Sequence, residues 1–553
     1  MNSEKRTCQN CKKEFTIEPE DFAFYARIDV PTPKLCPRCR QQRRMMFRNF
    51  KTLYKRNSDR SMKSLVSMYS PQAPYKIWSH EEWWQDDWDP KSFGRDFDFS
   101  RTFTEQFQEL LLSVPRFALM NFNSEACEYS NFTNGSKNCY LVFGCVEDEG
   151  CSYGHIVWES KDSLDNLYLH KSELCYGCVD CLNSYRLFYS GECEDCSDSI
   201  GLYDCKGCTD CVGCVGLRQK SRHIFNQPVS KEEYDKFLAE HPLGDTKSIE
   251  LILGKREELR KNLPQKNYFG SHNNDVSGNH IHNAKNVQHS FDVQGGENSK
   301  FAYTARNVVD SYDVAFSPDI EYSYEALTCM KSNRAYFCHI CLSSTDAYYS
   351  DNCFSCSNIF GCAGLKSEEY CIFNKKYSKE EYVELKSKII EHMKKTGEWG
   401  EFFSAKLSPF KYNESISQEY FPLKKDEALE MGYGWRDDLP YTTGQETLKN
   451  DALPREPGLI SIELCKEVLA CDKCSRNYKL TEGEVGFYKN AGLLVPRMCF
   501  DCRHANRMSQ RNTRDLWPGV CAMCGSEFKT SYSPEQQKQY KIYCETCYNN
   551  AVA

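Results

Sequence analysis

The sequence has no apolar run long enough to cross a bilayer, and its first residues, MNSEKRTCQNC, carry no apolar signal-peptide core. A soluble, cytoplasmic protein is the expectation. There is no excess of positive charge either. Lys and Arg total 70 against 78 Asp and Glu, a net charge of −8, which excludes a generic polyanion binder. Walker A, dinucleotide-fingerprint, G-x-S-x-G and H-E-x-x-H motifs are all missing, so the reading leans away from an enzyme and assigns no catalytic residue. What the chain has in quantity is cysteine, 33 in 553 residues. In a reducing compartment that count points to metal sites and buried thiols, not to disulfides.

Twelve of these cysteines fall into three tetrads. Cys8, Cys11, Cys36 and Cys39 form C-x2-C pairs 24 residues apart, and Cys471, Cys474, Cys499 and Cys502 repeat the pattern at a constant offset of 463. Cys521, Cys524, Cys544 and Cys547 follow with a gap of 19. Two such pairs present four thiolates to one tetrahedral Zn²⁺, so three zinc ions per chain are expected in knuckles of treble-clef or ribbon type. A fourth knuckle aligns with the third but holds Ser58, Ser61, Ser79 and Glu82 at the ligand positions. Three hydroxyls and a carboxylate are too poor a set for zinc, so this copy is expected to be empty and to rest on Trp83, Trp84 and Trp88.

Charge is uneven. Between Lys34 and Arg60 there are ten Lys or Arg and one acid, and between Glu147 and Asp198 twelve acids against three Lys or Arg. A helix RQQRRMMFRNFKTLYKR after the first tetrad would show Arg40, Arg43, Arg44 and Arg48 to phosphates, with Phe47 and Tyr54 free to stack on bases. Arg503, Arg507 and Arg511 repeat the stripe after the second tetrad.

The middle of the chain falls into twelves from residue 121. Ser124, Ser136, Asp148, Ser160 and Ser172 share one place, and Cys127, Cys139, Cys151, Ser163 and Cys175 another. After one nine-residue step the register resumes at Ser184, Cys196 and Cys208. Small residues at that period predict a narrow β-solenoid with 12-residue coils and small side chains stacked inside. A second copy lies at an offset of 148, where Cys127, Cys139 and Cys151 become Asp275, Val287 and Ser299. So loose a replacement marks core filler, not a shared cofactor site. "CKGCTDCVGC", residues 205–214, departs from the ferredoxin run and reads as four inward corners of one coil. His272, His280, His282 and His289 read as a solvated group.

The expected fold class is mainly β and multidomain, with terminal four-cysteine zinc knuckles flanking two duplicated solenoids, each followed by a capping helix that begins near SKEEY. The order is a knuckle with a basic helix over 1–54, a zinc-less knuckle over 55–90, an amphipathic helical connector over 91–120 and a first solenoid over 121–217. A helical cap and linker over 218–267, a second solenoid over 268–365, a cap and irregular connector over 366–460, and knuckles over 461–515 and 516–553 complete it.

The motifs TCQNCKKEFTIEPEDF, CPRCRQQRR, MYSPQAPY, WDPKSFGRDFDFSR, KNCYLVF and CFDCRH span nearly the whole chain. In them the chain resembles uncharacterised Cys-rich zinc-finger proteins of candidate-phyla (Patescibacteria-type) bacteria. The resemblance implies no activity. It does imply a lost fourth site, since members of that group carry Cys where this chain has Ser58, Ser61, Ser79 and Glu82. The function expected first is contact with RNA, DNA or a ribonucleoprotein through the arginine helices. The alternatives are a protein-interaction scaffold with structural zinc and a redox or metal-handling protein using the solenoid thiols. No membrane partner is expected.

Overall fold

A computed structural model describes residues 2–552 apart from 317, 322, 323, 326, 331, 334–338, 343 and 344, and side chains there except within 318–321, 328–330, 332–333 and 339–342. The chain is multidomain and strand-rich. It divides into two compact units, each built from two stretches remote in sequence: Met1–Leu119 with Tyr268–Leu439, and Met120–Asn267 with Pro440–Ala553.

In the second unit, strands Asn131–Asn134, Phe143–Val146, His155–Trp158, Leu167–His170 and Val179–Leu182 pair in parallel, and each residue faces one twelve further on, as His155 faces Leu167. Strands Tyr185–Phe188, Ser197–Ile200, Thr209–Val212 and Ser221–Ile224 continue the same register on a second face. The nine-residue step expected from the sequence is absent. Glu173 pairs with Tyr185 and Val179 with Gly191, both twelve apart, so the cysteines change corner there while the chain keeps its pitch.

The period beneath the twelve is three. Every third residue from Asn123 to Phe225 has a positive φ of 42–71°. As far as Leu217 the residue after each points inward, and these inward positions carry small side chains or Val and Leu, among them Cys139, Val142, Cys145, Cys151, Cys175, Cys178 and Cys181, all buried. Four such triplets make one turn. Left-handed φ costs a non-glycine residue about 1–2 kcal/mol, and here it recurs because each corner must bend while its amides stay bonded to the neighbouring turns. The N–H of each left-handed residue donates to the carbonyl thirteen residues back, as Asn138 does to Glu125. The outward residue donates to the carbonyl eleven ahead, as Lys137 does to Asp148. The inward N–H is left over, and the hydroxyl one turn before takes it: Ser172 N–H donates to Ser160 Oγ (3.2 Å) and Cys175 N–H to Ser163 Oγ (3.0 Å). Serine therefore recurs inside because it satisfies a buried donor, and cysteine because its thiol fills the space while donating to the carbonyl two residues back, as Cys205 does to Tyr203.

Asp148 occupies a serine place and performs the serine's task, accepting Ser160 N–H at 2.9 Å. It is 1% exposed, and burial pushes its carboxyl well above the ordinary range. The unfolded chain ionises near the normal carboxylate value while the folded chain keeps the proton. Stability is thus lost as pH rises through that interval. Asp148→Ser is expected to raise the melting temperature clearly at pH 8 and hardly at pH 4, as thermal melts at the two pH values would register.

The first unit repeats the scheme between His280 and Phe316 and between Asp346 and Phe373, with positive φ at every third residue. Val287 and Val293 fill its interior where the other unit has Cys139 and Cys145, and Ala284, Ala302 and Val308 where it has Ser136, Gly154 and Ser160. One turn is eleven residues long, with Gly270 facing Ile281. It is taken up at Gly278, where φ is 146° and a Cβ would collide with the Ser290 carbonyl.

The C-terminal ends of both stacks close alike. The Asn226 side chain accepts from Val215 N–H and donates to Val215 O, both at 2.8 Å, and Asn374 treats Ala363 the same way. Helices Lys231–Glu240 and Lys379–Thr396 follow, N-capped by Ser230 and Ser378 in capping boxes with Glu233 and Glu381, the geometry SKEEY calls for. Both stacks run further than the sequence suggested, to antiparallel closing pairs His223–Pro228 and Cys371–Lys376. The expected long helices are shorter. The basic helix spans only Pro37–Met45 before the chain turns into strand Tyr54–Asn57, and the connector helix spans Phe103–Ser113. Phe97, Phe103 and Phe107 are core there, but Phe99 is 45% exposed.

Candidate metal centres

Four segments share one backbone design. The first ligand position, its N–H bonded five residues ahead, opens a tight turn that ends in a left-handed residue: Lys12, Met62, Ser475 or Gly525. The N–H of that residue donates to the carbonyl of Cys8, Ser58, Cys471 or Cys521 at 2.9–3.0 Å. The third ligand position then caps a helix: Cys36 for Pro37–Met45, Ser79 for His80–Trp84 and Cys499 for Phe500–Met508. Helix Glu545–Val552 follows Cys544 in the same way.

Three of the four carry cysteine tetrads whose Sγ atoms lie within 4.8 Å of one another. Cys11 and Cys36 sulfurs are 3.8 Å apart, Cys474 and Cys499 3.6 Å, Cys524 and Cys544 3.8 Å. A tetrahedron with metal–sulfur bonds of about 2.3 Å has edges of about 3.8 Å, so the donor sets fit one metal ion each. Backbone amides support the sulfurs: Cys36 N–H points at Cys8 Sγ and Cys544 N–H at Cys521 Sγ, both at 3.3 Å. The Cys39 thiol, with further hydrogen bonds from its backbone, Cys8 and Cys11, draws the Cys36 pKa down to about 5 against the opposing effect of burial. Such a thiolate is what a metal takes first. The twelve ligands named from the sequence are thus brought together as three sets of four. Four thiolates leave no open position, so an ion held there supplies structure and no reactive water.

In the fourth segment a carboxylate stands in the middle. Glu82 Oε2 accepts from Ser58 Oγ and from Ser79 N–H (2.8 Å), while Ser58 Oγ accepts from Arg60 N–H (3.1 Å). Trp83, fully buried, donates its indole N–H to Pro115 O at 2.9 Å. The backbone geometry survives without a metal set because hydrogen bonds and an aromatic core replace it. Replacing Ser58, Ser61, Ser79 and Glu82 together by Cys is expected to add one equivalent of bound metal by elemental analysis, with Trp83 fluorescence unchanged. No added metal would show that the backbone similarity does not extend to ligand geometry.

The arginines are not where the sequence reading put them. Arg40, Arg43, Arg44 and Arg48 are 0–8% exposed, and Arg503 and Arg507 5–6%. Within the first unit Arg40 Nε donates to Asp313 Oδ2 (2.9 Å), Arg44 Nη1 meets Asp313 Oδ1 (3.0 Å) and Arg43 Nη2 meets Glu325 (2.6 Å). Within the second, Arg503 and Arg507 both grip Asp165 (2.9 Å each) and Arg511 grips Asp180 (2.7 Å). Asp313 and Asp165 are themselves 0% and 1% exposed. The rings expected to stack on bases are buried as well, Phe47 at 4% and Tyr54 at 5%.

The two clasps match position for position. Arg40 lies over Phe301 and Arg503 over Tyr153, and Arg48 over Phe316 and Arg511 over Tyr168. Each partner is displaced by 463 on the knuckle side and by 148 on the stack side. The metal-less and third knuckles dock alike: Lys366 lies over Trp83, and Arg218 donates to the Tyr548 hydroxyl (3.2 Å), which itself donates to Asp204. Asp165, Asp180, Asp313 and Glu325 were missed from sequence. The signal available was an Asp retained at offset 148 in a left-handed corner, where its side chain is fixed.

Among the described residues no stack thiol joins a group of three ligand atoms. Burial pushes Cys145, Cys151 and Cys178 well above the ordinary thiol range, the opposite of a reactive cysteine. His280 and His282 are half-buried on the outer side of the other stack, His282 sharing a hydrogen bond with Ser271 (3.0 Å). Among the described residues no helix is long and apolar enough to cross a membrane. The chain is a modular protein with three candidate tetra-cysteine metal centres. No known family model matches it, and no curated protein is significantly similar to it.

Proposed function

We propose that this is a non-enzymatic scaffold of the cytoplasm whose knuckles hold three structural zinc ions and clamp two narrow β-solenoids, leaving the solenoids to bind a protein partner. The observation that carries the reading is the fate of the arginines. Their charge is spent inside each unit on Asp165, Asp180, Asp313 and Glu325, so the basic helices act as clamps. Contact with nucleic acid through them would require each helix to leave its carboxylates. Zinc is the metal favoured by four thiolates at tetrahedral spacing, and a knuckle that keeps its backbone on serine and glutamate supports a structural role for the others. Redox use is disfavoured at Cys145, Cys151 and Cys178, whose thiols burial holds well above the ordinary range.

The test is retention of the metal-loaded protein on single-stranded RNA and duplex DNA between 50 and 200 mM salt. No retention is expected. Retention that falls steeply with salt would return the nucleic-acid reading to first place.

A further inference from the structure

Every left-handed residue beyond the first turn of the Cys-rich stack donates its N–H thirteen residues back, as Gly135 does to Phe122 and Asn138 to Glu125. In the first turn nothing of the stack lies behind. The N–H groups of Asn123, Ala126 and Tyr129 and the carbonyls of Ser124 and Cys127 meet no backbone partner among the described residues. The turn is also uncovered: Asn123, Glu125, Ala126, Glu128 and Tyr129 are exposed, Tyr129 at 48%. The other end of the same stack is closed by Asn226, a hairpin and a helix. A bare edge of alternating donors and acceptors is a template for a further strand.

The side chains state what that strand should carry. One outward column reads Glu125, Lys137, Glu149, Lys161, Glu173, paired rung to rung, with Lys161 and Glu149 3.1 Å apart. Its sign alternates at every turn and it ends at the bare edge on Glu125, with Glu128 exposed beside it. Continuing the alternation calls for a cation. A second copy of the edge would set Glu125 and Glu128 against their own kind, which like-charge cross-strand pairing penalises.

We propose that the edge over Asn123–Tyr129 binds a lysine-bearing extended segment of a partner protein by strand addition. The side from Ser124 to Tyr129 offers two acceptors and two donors in line, with Glu125 and Glu128 flanking. The proposal deepens the scaffold reading and rests on it, since it names where that partner would dock.

The experiment uses the full metal-loaded chain and two blocked hexapeptides, one alternating lysine with valine or threonine, the other with glutamate in place of lysine. The lysine peptide is expected to bind about tenfold more tightly, the value of two favourable cross-strand charge pairs of roughly 0.7 kcal/mol each. It should slow hydrogen exchange at Ala126 and Tyr129 specifically. The charge-reversed double variant Glu125→Lys, Glu128→Lys, at exposed positions, should invert the preference. Equal affinity for both peptides, or binding without protection of those amides, overturns strand addition at this edge. Protection that rises with protein concentration in the absence of peptide overturns it in favour of self-association. A variant that still captures the native partner at full strength separates failure of this edge from failure of the scaffold reading.

Discussion

Replacing Asp313 by alanine is expected to destabilise its unit by about 3–5 kcal/mol, the cost of leaving buried charge uncompensated. Asp313 is fully buried between Arg40 and Arg44, both fully buried, and no water-exposed route lets either guanidinium relax. Glu325 sits 3.7 Å from Arg44 but is already engaged by Arg43. Two effects overlap in the alanine variant, because Asp313 has a φ of 59° and alanine tolerates that region less well than aspartate. Asp313→Asn separates them, since asparagine accepts left-handed φ and keeps the shape while removing the charge. The clasp account expects Asn to lose most of what Ala loses in chemical denaturation. An asparagine variant as stable as the native protein would mean that backbone strain, not the ion pair, fixes the loss. Asp165→Asn in the other unit should behave the same way, because Arg503 and Arg507 converge on it at 2.9 Å each.

The metal tetrads were legible in the sequence because four sulfurs must converge, and that requirement fixes spacing along the chain. The twelve-residue register was legible for a similar reason, since a turn of fixed length places like residues at like intervals. The triplet beneath it was harder to see. Its defining feature is a left-handed backbone at every third residue, and Tyr129, Ile156, Leu174 and Phe225 occupy such positions with no compositional sign of it. The apparent nine-residue step came from following cysteine and serine alone: Leu187 takes the corner twelve after Cys175, and the small residues move between corners without changing the fold. The arginine stripe misled for a physical reason. A stripe at i, i+4 looks the same whether it faces phosphate or buried carboxylate, and the deciding residues, Asp165 and Asp313, lie 338 and 273 positions from their partners Arg503 and Arg40. Local pattern carries no information about so distant a contact. Pairing across two sequence offsets does, and Asp165 with Asp313 was the pair to follow.

Metal removal is expected to proceed in two stages, one equivalent quickly and two slowly. A structural tetra-thiolate ion contributes about 10–16 kcal/mol of binding free energy, so the tetrads differ less in affinity than in how a chelator reaches them. In the first two, three of the four cysteines are buried and one is half-buried. In the third only Cys521 is buried, Cys524 is exposed, and Cys544 and Cys547 are half-buried. A chromogenic chelator should therefore strip Cys521, Cys524, Cys544 and Cys547 first, while Arg503 and Arg507 stay on Asp165, and near-ultraviolet circular dichroism should change little. The slow phase should release two equivalents together with the tertiary signal, because loss of metal at Cys36 or Cys499 frees the cap of the helix that carries each clasp. Cys524→Ser should abolish the fast phase and leave the slow one intact. Release of all metal in a single phase, or a fast phase that survives Cys524→Ser, would contradict the assignment of the exposed centre, and a fast phase of two equivalents would mean that a clasped knuckle opens without unfolding. The order follows from burial of the sulfurs alone, with no difference in ligand type among the three sites.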